Sequence, residues 1–314
     1  MKVIDTGLGF RSKSYKEGVF MKYGIYFAYW EKSWNVNYLD YVSKVKKLGF
    51  DILEISCAAL KDASKEELLK LKQAAKENDV ILTAGYGPAA NENLASADDA
   101  IIKNALAFYT DILKKLELMD IHILGGGIYS YWPVDYSKPI DKAGDWERSV
   151  NNVRKVAKIA GDLGIDYCLE VLNRFEGYLL NTAEEAKQFV EEVDVPSVKI
   201  MLDTFHMNIE EDSISSAIRL AGDKLGHLHV GENNRRVPGK GGLPWYEIGC
   251  ALRDIGYDKY VVMEPFVLSG GKIGSDIKVW RDLSKGASEE QLDLDAKNSV
   301  EFLRYVFSGP CSKQ

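Results

Sequence analysis

Eight short apolar runs recur along the 314-residue chain: YGIYFAYW, FDILEIS, VILTAGYGPA, IHILGGG, DYCLE, VKIMLD, LGHLHV and YVVMEP. Between them lie segments whose apolar residues return at helical spacing, such as 37–48, 98–118, 145–163, 215–221 and 244–255, with a last one over 293–307. Ser64 followed by Glu67, and Thr182 followed by Glu185, mark two helix starts by the capping-box pattern. Gly49 and Gly164 mark two helix ends. Eight strand–helix alternations, with no Pro/Ser-rich linker between them, predict a single-domain parallel (β/α)8 TIM barrel over 21–308. A doubly wound nucleotide-binding sheet would need G-x-G-x-x-G after its first strand, and the sequence has none there. Residues 1–20 lack a period and read as a dispensable extension, and 309–314 as a tail.

In such a barrel the chemistry sits at the C-terminal ends of the strands. The fifth run places Glu170 among Cys168, Leu169, Val171 and Leu172, an acid inside an otherwise apolar segment. A buried carboxylate is costly unless it meets a cation or a donor. The next three runs deliver Asp203, His229 and Glu264 near their own ends. Strands five to eight are neighbours around a barrel, so these four side chains can converge. Two Glu, one Asp and one His suit a divalent ion of the manganese, cobalt or magnesium kind.

Composition narrows the function classes. A net charge of -7 and only four histidines argue against a nucleic-acid partner or a histidine-rich multi-metal nuclease site. No apolar run approaches the roughly 20 residues of a membrane span. Cys57, Cys168, Cys250 and Cys311 are scattered without a C-x-x-C pair, which points to a reducing cytoplasm rather than a disulfide scaffold or a zinc ribbon. The loop GENNRRVPGKGG has glycines and Lys240 where barrels often bind phosphate, but it is not a P-loop. His206 reads as a loop residue beyond the sixth strand, and His122 and His227 as core or supporting residues within strands.

From Met21 to about Phe307 the chain resembles the ketose 3-epimerases, the D-tagatose and D-psicose (D-allulose) 3-epimerase group, in the segments GIYFAYW, TAGYGPA, YSYWPVD, LEVLNRFE, MLDTFHMN, NNRRVPGKG, VVMEPF and GSDIKVWRD. The resemblance implies a xylose-isomerase-like barrel, a homodimer or homotetramer, acting on free ketoses with Mn²⁺ or Co²⁺, or Mg²⁺ in their place. It implies metal ligands at Glu170, Asp203, His229 and Glu264, with Glu170 and Glu264 as the catalytic pair. It implies contacts to the sugar at Glu176, His206 and Arg235, and a pocket lined by Tyr26, Gly85 and Trp132. Taken alone, Trp132 would more often be packing, and Arg235 and Arg236 solvated charges. Rival readings are a metal-dependent aldose–ketose isomerase, an L-ribulose 3-epimerase, a phosphosugar epimerase and a non-catalytic sugar-binding protein. The last would have no reason to gather carboxylates around an ion.

Overall fold

Eight parallel strands close on themselves in chain order: β1 (Lys22–Tyr26), β2 (Ile52–Ser56), β3 (Ile81–Gly85), β4 (Ile123–Gly126), β5 (Asp166–Glu170), β6 (Val198–Asp203), β7 (Leu225–Val230) and β8 (Tyr260–Met263). Each pairs with the next, and β1 pairs with β8. These coordinates are a computed structural model describing residues 21–309 and 311. The expectation for 1–20 therefore lies outside the described residues. Around the barrel run α1 (Leu39–Lys47), α2 (Lys65–Glu77), α3 (Asp99–Leu118), α4 (Lys142–Asp162), α5 (Ala183–Val193), α6 (Thr204–Glu210), α7 (Ile214–Ala221), α8 (Trp245–Asp254), α9 (Gly271–Asp276) and α10 (Glu289–Ser308).

The helices cover the sheet for the reason their sequence spacing gives. On α4, Val150, Val153, Val156, Ala157 and Ala160 are all buried, one stripe at three- and four-residue steps. The Ser64–Glu67 capping box forms at the start of α2. At α5 only half of it does. Thr182 accepts the Glu185 N–H, but the Glu185 carboxylate turns to the Asn181 N–H and to Lys142.

Side chains two residues apart on a strand share a face, so the lumen fills in layers. Ile123, Cys168 and Met201 pack together low in the barrel. One step up on β5, β6 and β7 stand Glu170, Asp203 and His229, with Asp203 and His229 paired in register. Gly125 on β4 is needed beside this stack. A Cβ there would lie 2.6 Å from the Met201 sulfur.

Five local features differ from the sequence reading. The first apolar run does not continue as strand, and Phe27–Trp30 turns into a short 3-10 helix. The last helix starts at Glu289 behind a Ser288 cap, earlier than 293. The short helices α6 and α9 carry too few residues to show a period. His122 is exposed at the foot of β4, beside Asp120 and the Gly164 carbonyl, and not part of any core. Finally, Cys250 on α8 and Cys311 form a disulfide across 61 residues, with Cα atoms 5.7 Å apart. No local spacing could announce that pair. Cys57 and Cys168 are free and buried. No described helix is long and apolar enough to cross a membrane.

Candidate active site

Strand ends and the first turns beyond them build the site. Glu170 closes β5, Asp203 closes β6, His229 lies one residue before the end of β7, and Glu264 follows β8 directly. One ligand atom from each lies within 4.8 Å of those of the others. Asp203 divides its two oxygens between tasks. Its Oδ1 accepts the Phe205 N–H at 2.8 Å and caps α6, while its Oδ2 is buried without a hydrogen-bond partner. His229 Nδ1 is likewise buried and unpartnered, 3.5 Å from Glu264 Oε1.

The cap explains where His206 stands. It lies in α6 rather than in a loop, held over the strand end, with Nε2 3.8 Å from both Glu170 Oε1 and Asp203 Oδ2. Its Nδ1 faces the Asn173 backbone N–H at 3.3 Å and the Asn173 amide at 2.7 Å. Both Asn173 groups donate, so Nδ1 accepts and the ring proton sits on Nε2, pointing at the acids.

Arg235 is the inward arginine, as the resemblance implies. It occupies a left-handed backbone conformation (φ 63°) and is buried. Its Nη2 pairs with Glu176 Oε1 at 3.0 Å, its Nη1 lies 3.5 Å from Glu264 and 3.7 Å from Asp203, and its guanidinium stacks 3.6 Å from the centre of the Phe205 ring. The loop that carries it is not a phosphate cradle. The Glu232 carboxylate takes the N–H groups of Gly239 and Leu243 and the Trp245 indole N–H, and Lys240 pairs with Asp295. The amides an incoming phosphate would need are occupied from within.

Charge is unevenly distributed over this cluster. Burial pushes the Glu170 carboxyl well above the usual carboxylate range, and the neighbouring Glu264 raises it further. Burial also acts against ionisation of Glu176, but Arg235 and His206 outweigh it and hold that carboxyl below its ordinary value. Burial lowers His206, with Glu176 and Asp203 opposing. His229 is the reverse: burial lowers it, and Glu54 and Glu264 more than offset that, so positive charge is favoured at this ring.

These observations test whether the four residues fit a divalent ion. Two buried ligand atoms without partners, two further carboxylates facing them, and a demand for positive charge at their centre are what such an ion would satisfy. Glu170, Asp203, His229 and Glu264 fit it.

Above the cluster opens a cleft of about 580 Å³, counted out to its mouth. Tyr26, Gly85 and Trp132 line it, together with Glu176, His206 and Arg235. Trp34 and Phe266 complete an aromatic wall: Trp34 meets Trp132 edge-on at 6.4 Å, and Phe266 lies 6.3 Å from Tyr26. Sequence reasoning passed over these two, and also Glu54. On β2, Glu54 is fully buried and accepts from Thr83 Oγ1 at 2.7 Å and from Nε2 of both His227 and His229. Its signal was available, since an acid interrupts the apolar run ILEIS as Glu170 interrupts its own.

A family model described as "Xylose isomerase-like TIM barrel" matches residues 42–291. A D-psicose 3-epimerase from Ruminiclostridium cellulolyticum is 60% identical over 91% of this chain and 98% of its own length. A crystal structure of D-psicose 3-epimerase with D-tagatose, from Clostridium cellulolyticum H10, superposes with a TM-score of 0.91 at 60% identity, covering 92% of this chain and all of the other. A second D-psicose 3-epimerase structure, determined in the presence of D-fructose, superposes equally well at 54% identity over the same shares.

Proposed function

The chain belongs to the ketose 3-epimerase family of xylose isomerase-like TIM barrels, and on that premise we propose that it inverts C3 of free ketohexoses, interconverting D-fructose with D-psicose and D-tagatose with D-sorbose. The reading is carried by Glu170 and Glu264, two acids from different strand ends of one ligand cluster that both line the cleft. C3 lies next to the C2 carbonyl, so its proton can leave to give an enediolate and return on the other face. A single base would tend to return the proton where it came from, so two are needed. Glu170 on β5 and Glu264 after β8 take these parts: in either direction one abstracts the C3 proton from one face and the other donates a proton to the opposite face, and the roles exchange when the reaction runs backwards.

Glu170, Asp203, His229 and Glu264 would hold Mn²⁺ or Co²⁺, with Mg²⁺ as a weaker candidate, and such an ion supplies positive charge where the carbonyl oxygen becomes negative. Around it the chain's own groups orient the sugar. His206 presents an N–H toward the acids and serves as a donor to a sugar oxygen. Arg235 and Glu176, paired with each other, offer one donor set and one acceptor set to the hydroxyl end near the carbonyl. Tyr26, Trp34, Trp132 and Phe266 shield the centre from water, and Gly85 leaves its edge open.

The test is direct. Protein stripped with a chelator is incubated with D-fructose, with and without Mn²⁺, and the product is identified by chromatography. D-Psicose formed only with the ion is the expected result. Full activity in the stripped protein would overturn the metal assignment, and an aldose product would assign carbonyl transfer between C1 and C2 instead.

We also infer a homodimer or homotetramer, with residues 1–20 dispensable. The assembly rests on the family, and Phe175 and Trp280, 64% and 75% exposed, are the side chains whose substitution would test it. Light scattering that returns a monomer mass would exclude it. A chain starting at Met21 is expected to keep both turnover and melting temperature.

A further inference from the structure

Glu54 does not reach the cleft's ligand cluster, yet it touches one of its members. It is a side chain that is 1% exposed, with both oxygens engaged: Oε1 by His229 Nε2, and Oε2 by His227 Nε2 at 2.8 Å and by Thr83 Oγ1 at 2.7 Å. An ionised carboxylate only accepts hydrogen bonds, so both imidazoles must donate from Nε2. For His229 this has a consequence at the other end of the ring. In the neutral ring that binds a metal, a proton held at Nε2 leaves the Nδ1 lone pair bare, and Nδ1 is the atom that faces Glu264 at 3.5 Å without a partner.

We propose that Glu54 is a positioning residue that fixes the ring orientation and tautomer of His229 so that Nδ1 is offered to the divalent ion. This rests on the metal reading above. Glu54, His227 and His229 could be mistaken for a second metal cluster, since their ligand atoms also lie within 4.8 Å of one another. Against that, every Glu54 oxygen already accepts a hydrogen bond, and Thr83 and His227 anchor the carboxylate from the side away from the cleft. His227 is thereby the support of a support. It holds Glu54, which holds His229.

Carboxylate–imidazole pairs behind a ligand typically change metal affinity by about 10–100-fold when broken. Glu54→Gln retains the shape but sets an amide NH₂ against one of the two imidazoles. Mn²⁺ binding is measured calorimetrically on chelator-stripped wild type, Glu54→Gln and His227→Asn. The expected result is one ion per chain in all three, about 10–100-fold weaker in Glu54→Gln, with a smaller loss in His227→Asn, where the Glu54–His229 bond remains. A folded Glu54→Gln with wild-type affinity would overturn the proposal, and so would an equal loss in His227→Asn, which marks mere disturbance of the core. Wild type that binds no Mn²⁺ would instead sink the metal reading and this inference with it. Should Glu54→Gln not fold, the Mg²⁺-loaded wild type decides by imidazole ¹⁵N NMR. A slowly exchanging proton on His229 Nε2 is expected, and a proton on Nδ1 with a bare Nε2 would contradict it.

Discussion

Glu232 and Glu170 are two buried glutamates beside the mouth of one barrel, and they solve burial in opposite ways. Glu232, fully buried just beyond β7, forms no ion pair among the described residues but accepts three N–H donors, from Gly239, Leu243 and Trp245. Among the described residues, none donates a hydrogen bond to the Glu170 carboxylate, and its nearest charged neighbours include Glu264 and Asp203. The first acid folds a loop, and that loop carries Arg235. The second is left unsatisfied by the fold. Burial of an acid is therefore no mark of chemistry. An acid whose burial the protein does not compensate is, because something outside the chain must complete it.

The same substitution at the two positions should give opposite signs, and this is the sharpest way to break the comparison. Glu170→Gln keeps the shape and removes a base, so turnover is expected to fall by at least about 10²–10⁴-fold in a steady-state assay with bound metal measured alongside. In ion-free protein it also removes an acid whose burial the fold does not compensate, so the melting temperature should hold or rise. At Glu232 the new NH₂ would face an N–H, leaving a buried donor without a partner. Glu232→Gln should therefore cost about 1–3 kcal/mol in denaturant unfolding, with Mn²⁺ stoichiometry unchanged. A destabilised Glu170→Gln beside an indifferent Glu232→Gln would reverse the comparison.

Asp203→Asn is a smaller intervention. Asparagine caps a helix about as well as aspartate, so α6 and His206 should stay in place while the centre loses one negative charge. Calorimetry should find weaker Mn²⁺ binding at little change in ion-free stability.

The smallest effect concerns Glu176. Its folded carboxyl is held below the ordinary 4.5, against the pull of burial, by Arg235 and His206. A carboxyl depressed on folding adds stability that is present above its unfolded value and is lost as pH falls through its folded one. Melting temperatures of wild type and Glu176→Gln should thus differ most above about pH 4.5 and draw together below it. A gap that widens on acidification would mean Arg235 does not hold Glu176 ionised.

Much of this was legible in the residues. The (β/α)8 alternation and the three acids and one imidazole at strands five to eight follow from apolar runs that each carry one hard ligand near their end. Glu54 carried the same signal in ILEIS but lies deeper, and only the register of β2 against β7 across the lumen reveals what it meets. His206 was misplaced into a loop because a seven-residue helix shows no period, and the Asp203 cap that starts it also serves the site. Glu232 could not be read as an anchor, since its partners are two backbone N–H groups and one indole N–H, seven to thirteen residues away. The Cys250–Cys311 bond joins positions that only the packing of α10 beside α8 brings close.

Deuterium at C3 reports the chemistry assigned to Glu170 and Glu264 most directly. Metal-loaded enzyme is given D-fructose in D₂O, and both sugars are isolated at low conversion. If the two carboxylates act as separate bases, every D-psicose molecule carries deuterium at C3, while recovered D-fructose gains label more slowly. D-Psicose formed without deuterium at C3 would contradict proton abstraction and return by two solvent-exchanging acids.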